Sequence, residues 1–269
     1  MDIHGEYAAA LSESATVFRV NPASGQQALQ VPFWALPPTD LIPFLMGRLD
    51  DRALTGVIDR IFDAKMRRAK EKLIPGVDLD SLTIDTPVPY SLKQLWLDLL
   101  DPEIKTWKEK DRQTAAISQP GDAEKLIAPQ YEPPGAGGSP PFVNSVGVLS
   151  IRRHLEHMRS RLLDKRFAFL LSPGDWAPDL AGHCKSDLDD LLNAWLGHDK
   201  PITILDLSGV PSDVLVQMLG AILTIIYDAL FWGRYLPAGG RQRPQLVVME
   251  EAHRYLGKES TPPETSFIG

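Results

Sequence analysis

Two short stretches at opposite ends of the chain each gather several side chains able to do chemistry. Near the carboxyl end, Leu246-Val247-Val248-Met249 runs straight into Glu250-Glu251-Ala252-His253, four apolar residues followed by two adjacent carboxylates and an imidazole. A short unbroken apolar run predicts a strand buried on both faces, as in a parallel sheet. Acids at its carboxyl end lie where open α/β sheets place their ligands. One such acid can hold Mg²⁺ while the next orients or deprotonates a water. The second stretch is Asp2-Ile3-His4-Gly5-Glu6-Tyr7, dense in functional side chains where chain termini are ordinarily dull, which predicts that the natural element begins before Met1. The plainer alternatives are an apolar strand ending in a solvated acidic turn and a frayed polar tail.

Around these stretches the composition is that of a globular protein. The 269 residues are 43% hydrophobic and 23% charged, enough for one large domain or two small ones. A formal net charge of −7 gives no global sign of nucleic-acid binding, so any such contact must be a local patch or a pore lining. The single cysteine, Cys184, excludes an internal disulfide framework and a multi-cysteine zinc site, and fits a reducing cytoplasm. No apolar run is expected to reach the ~18 residues of a membrane span, and the polar start is not a signal peptide.

The elements that must position the two stretches follow from periodicity. Thr16 to Val20 predicts a strand, Asn21-Pro22-Ala23-Ser24-Gly25 a turn and Ala28 to Phe33 a second extended run, together a hairpin. Thr39 or Asp40 can cap a helix reaching about Leu49. Leu54, Val57, Ile58, Ile61 and Phe62 mark one apolar helix face, with Lys65, Arg67, Arg68, Lys70 and Lys72 as a basic cluster, more often solvated than bound to DNA. Pro75-Gly76 ends that helix. Ser91 caps the next, which Asp101-Pro102 closes or kinks. Residues 117–145, rich in Pro and Gly, are expected to lack regular structure. A basic helix carrying Ile151, Leu155, Met158 and Leu162 comes next. Then come an apolar strand at Phe167–Leu171, a helix capped by Ser186, a strand from Pro201 to Asp206, and a long, well-buried helix from Val214 to Trp232 that starts after Pro211. Strand and helix alternating over short links argues for a parallel sheet with right-handed crossovers.

Three patches now line up. Asp2-Ile3-His4-Gly5-Glu6-Tyr7 resembles the D-x-H-G-E-Y signature of the HerA branch of the HerA–FtsK ATPases. Ile204-Leu205-Asp206-Leu207-Ser208-Gly209 resembles the branch's apolar strand before its long helix, and Val247-Val248-Met249-Glu250-Glu251-Ala252-His253 resembles its Walker B strand. The resemblance implies an α/β fold: part of a RecA-like P-loop NTPase parallel sheet (residues 1–38 and 166–269) with a helical insertion (39–165). It implies ATP and Mg²⁺ as cofactors, double-stranded DNA as substrate, a homo-hexamer, and a nuclease or another effector as partner in end resection or anti-phage defence. By residue, Glu250 would match the Mg²⁺-holding acid and Glu251 the catalytic glutamate. Asp2, His4 and Glu6 would line the same nucleotide pocket, with His253 near the γ-phosphate.

The departures from the family pattern concern the phosphates. G-x-x-x-x-G-K-S/T, whose backbone amides and lysine cradle them, does not occur in the sequence. The chain is therefore expected to be the middle of a HerA-like protein, weakly active as an ATPase by itself because phosphoryl transfer depends on that cradle. The competing expectations are a metal-dependent hydrolase using His4, Glu6, Glu250, Glu251 and His253, and a non-catalytic interaction scaffold.

Overall fold

A computed structural model describes residues 1–11, 13–71, 74, 77–235 and 240–253. In chain order the elements are α1 (Tyr7–Ala10), β1 (Ala15–Arg19), β2 (Gln27–Ala28), α2 (Pro38–Met46), α3 (Asp51–Lys70), α4 (Leu92–Ile104), β3 (Thr106–Trp107), β4 (Ile117–Gln119), β5 (Gln130–Tyr131), β6 (Phe142–Val143), α5 (Arg152–Leu163), α6 (Ala168–Leu171), α7 (Leu188–Leu196), β7 (Ile202–Asp206) and α8 (Ser212–Trp232). They fall into two compact units. One gathers Met1–Asp40, Arg166–Ala177 and the chain from Cys184 on; the other holds Leu41–Lys165 and Pro178–His183.

The first unit is mixed α/β around a three-stranded parallel sheet of order β2-β1-β7. β1 and β7 pair over their full lengths, from Ala15 opposite Ile202 to Arg19 opposite Asp206. Ala8, Ala15, Val17 and Ile204 form one small core against this sheet. The expected hairpin is not formed: β2 runs parallel to β1. The connecting loop holds two residues in the left-handed region, Asn21 (φ 59°) and Gly25 (φ 83°), and two reversals restore the original direction. Turn residues signal that the chain bends, not how many times.

Hydrogen bonds extend the sheet beyond its named strands. Asp2 N–H donates to Leu205 O (2.9 Å) and Leu207 N–H donates to Asp2 O (2.7 Å), making a parallel bridge to Asp206. On the other side the Met1 nitrogen donates to Val248 O (2.7 Å), while Glu250 N–H donates to Met1 O (3.1 Å). An N–H and a C=O of one residue bonded to residues two apart on its neighbour is the parallel pattern. The Val248–Glu250 segment therefore lies alongside Met1, across from β7. It is not the strand buried on both faces that its apolar run predicts: Leu246 is 89% and Val248 66% exposed.

Other expectations are also corrected. Phe167–Leu171 forms helical turns, including α6, because a five-residue apolar run has no period to separate strand from buried helix. The cap of α7 is Asp187, in a reciprocal capping box with Asp190, rather than Ser186. Over Val214–Phe231, α8 is long and apolar enough to cross a membrane by length and composition, contrary to the expectation that no run reaches that limit. It buries one stripe (Val214, Met218, Leu219, Ala221, Ile222, Ile225 and Ile226) and leaves Tyr227 61% exposed, so it is not buried all round.

The second unit is helical. α4 packs against both α3 and α5. The buried Trp96 indole donates to Leu155 O (3.1 Å), tying α4 to α5. Ser91 caps α4 by accepting from Gln94 N–H, and Pro102 sits within the last turn without ending the helix. Pro75 and Gly76 lie outside the described residues. Residues 117–145, expected as a structureless loop, contribute β4 and β5, which pair antiparallel, and β6, which pairs with β3. Burial removes two members of the basic cluster on α3, Lys65 (0% exposed) and Arg68 (8%); Arg67 and Lys70 stay exposed, and Lys72 lies outside the described residues. Lys65 Nζ donates to Ile84 O (2.6 Å) and Thr86 O (2.8 Å), while Arg68 bonds Gly182 O and Glu71.

Candidate nucleotide site

Asp2 sits at the carboxyl end of the extended sheet with its side chain turned inward, 2% exposed. Its Oδ1 accepts from the backbone N–H groups of Gly5 (2.7 Å), His4 (3.2 Å) and Glu6 (3.3 Å), and its Oδ2 from Tyr7 (3.0 Å). One carboxylate thus collects four amides that a tight turn would otherwise leave unpaired. Burial raises the Asp2 pKa. The backbone hydrogen bonds from Tyr7, Gly5 and Glu6 outweigh it and hold the carboxyl below its ordinary value. Glu250 closes the loop from the adjacent segment: its Oε2 accepts from Ile3 N–H (3.0 Å) and His4 N–H (3.3 Å).

The glycine of this loop is required. Gly5 has φ +75°, and a Cβ there would lie 2.9 Å from Ser208 Oγ and 3.2 Å from Asp206 Oδ2. Beneath it, Asp206 at the end of β7 is 0% exposed. Asp206 Oδ1 accepts from Ser208 N–H (3.0 Å) and Ser208 Oγ–H (2.6 Å), and Oδ2 lies 3.3 Å from Arg19 Nε. Arg19 Nη2 donates to Ser208 Oγ (3.3 Å).

The structure brings Asp2 and Glu250 together on one loop and leaves His4 and Glu6 exposed on that same loop. Glu251 and His253 meet each other, with His253 Nε2 3.4 Å from Glu251 Oε2. Glu251 stands in the left-handed region at φ 49°, a conformation that costs a non-glycine residue energy and clusters at functional sites. Asp206 and Ser208 lay within a patch that the sequence marks, yet neither was assigned a role. Arg19 belongs to no motif, and it is the observed β1 that ends on it, one residue short of the strand expected to reach Val20.

These groups meet one part of what ATP and Mg²⁺ require. Mg²⁺ is commonly held by one or two carboxylates, with water and phosphate completing its shell. Among the described residues no three His, Cys, Asp or Glu side chains converge on a metal position. Glu250, with Oε1 as its second oxygen, and Glu251 fit a hydrated divalent cation. Asp2 fits as the scaffold of the loop, since both its oxygens are taken by amides. No described residue supplies the phosphate cradle.

No curated protein matches this chain. A family model described as "Helicase HerA, central domain" matches residues 1–226. That span includes the Asp2–Tyr7 loop, Arg19 and Asp206, while Glu250, Glu251 and His253 lie beyond it. Matched over well more than half of its length, with the signature loop seated on a parallel sheet, the chain belongs to the HerA family of HerA–FtsK-type ATPases.

Proposed function

We propose that this chain provides the acidic side of the ATP site in a HerA-type motor that moves along double-stranded DNA. In this reading the sheet is part of a RecA-like core, the assembly is a homo-hexamer, and a nuclease or defence effector acts with it. The observation that carries the proposal is the parallel pairing that sets Glu250 against the Asp2–Tyr7 loop. Sequence-distant acids thereby reach the carboxyl ends of adjacent strands, where α/β sheets bind ligands.

Bound Mg²⁺ would neutralise charge on the transferring phosphoryl group. Glu250 would hold it. Glu251 would orient the attacking water and accept its proton, and the exposed His4 and Glu6 would face the nucleotide. His253, 3.4 Å from Glu251, would set the orientation of that carboxylate near the γ-phosphate.

The test is Glu251→Gln in the natural protein. ATP turnover is expected to fall by roughly 10²–10⁴-fold with nucleotide still bound. Turnover near wild type would remove Glu251 from the mechanism.

A further inference from the structure

We infer that Arg19 is the residue of this sheet that contacts the terminal phosphate of a bound nucleotide, with Asp206 and Ser208 holding its guanidinium in place. The inference rests on the nucleotide reading above and adds to it a group that the signature motifs do not contain. It starts from charge. The carboxyl ends of the strands and the flanking segments collect Asp2, Glu6, Asp206, Glu250 and Glu251. A polyphosphate brought into such surroundings needs fixed cations. Among the described residues at these strand ends, Arg19 is the one Arg or Lys.

Its geometry is that of a positioned cation. Nε lies 3.3 Å from Oδ2 of the fully buried Asp206, and Nη2 donates to Ser208 Oγ at 3.3 Å. Ser208 in turn donates to Asp206 Oδ1 at 2.6 Å, closing a three-residue ring. The Arg19 side chain is 37% exposed, against 0% for Asp206. A guanidinium has five donors in a planar fork. One donor, on Nη2, is spent on Ser208, and Nε faces Asp206 Oδ2 in the ion pair, so the remainder of the fork can reach a phosphate above. Holding the fork in advance reduces the rotamer entropy lost on binding. The structural alternative is that Arg19 only neutralises Asp206, since a buried carboxylate left alone is strongly destabilising.

The two roles separate in a binding experiment on the natural protein with Mg²⁺ and fluorescent ATP and ADP analogues. Arg19→Gln/Asp206→Asn removes the ion pair together, so no charge is left buried. If Arg19 contacts the terminal phosphate, this variant keeps a wild-type melting temperature while the ratio of ATP to ADP affinity falls about tenfold or more. An unchanged ratio, or an equal loss for both nucleotides with a lowered melting temperature, overturns the inference and leaves the nucleotide site standing. Should the double variant unfold, Arg19→Lys decides. It keeps the charge beside Asp206 but loses the fork, and an unchanged ratio there overturns the inference as well. Wild-type protein that binds neither analogue overturns the nucleotide reading and this inference together.

Discussion

Asp2 shows how one residue converts a motif into geometry. Its carboxylate is buried, yet four backbone amides hold it below the usual carboxylate range. A folded-state pKa below the unfolded value contributes stability that is present above the ordinary Asp value. It is lost as pH falls through the folded value. Urea unfolding from pH 5 to pH 2 is therefore expected to show a steep loss of stability in the wild type. Asp2→Asn should be less stable near neutrality and show a flatter acid limb; an unchanged acid limb would mean that Asp2 is not what responds. The same residue explains Gly5, whose left-handed turn brings the His4 and Glu6 amides onto one oxygen and lets the loop descend onto Ser208 without a clash.

At the scale of elements, α3 is the clearest case of tertiary structure overriding a surface pattern. Its periodicity correctly marks Val57 and Ile61 as core. The same register places Lys65 inside, where its Nζ pins the 84–86 segment by two carbonyl bonds 5.7 Å from the Tyr90 ring centroid. Burial lowers the Lys65 pKa to about 8, only partly opposed by the Asp85 charge. Here the folded value lies below the unfolded one, so the folded protein gives up its proton first as pH rises. Stability is expected to increase between about pH 8 and the ordinary lysine pKa near ~10.4. Lys65→Met should abolish that rise in denaturant titrations across this window. A rise that persists in Lys65→Met would place its origin elsewhere. Burying an ammonium against two carbonyls costs desolvation energy, so the residue is better read as fixing the path of the 84–86 segment than as adding stability.

For the whole molecule, the sheet has three named strands, and among the described residues no strand pairs with the far side of the acid-bearing Val248–Glu250 segment. Leu246 and Val248 are largely exposed beside that edge, and one run of apolar side chains next to backbone groups able to pair is a route to association. Leu246→Lys/Val248→Lys is expected to shift the protein toward monomer in size-exclusion chromatography with light scattering; an unshifted, already monomeric wild type would show that the edge is not sticky. Much of this organisation was legible in advance. Caps such as Ser91, the apolar stripes of α3, α4 and α5, and the strand at Ile202–Asp206 depend on residues a few positions apart. Local chemistry settles these, and it also marked Asp2, His4, Glu6, Glu250, Glu251 and His253 as the side chains worth watching. What the tertiary structure alone decided is partnership. It set β2 parallel, made Phe167–Leu171 helical, buried Lys65, turned Asp2 inward as a scaffold and joined Arg19 to Asp206. Each of these outcomes depends on groups far apart in the chain, as with Ile3 and Glu250 or Arg19 and Ser208. The free energy of pairing a backbone edge or burying a charge is set by what arrives opposite it, and neither composition nor period records that.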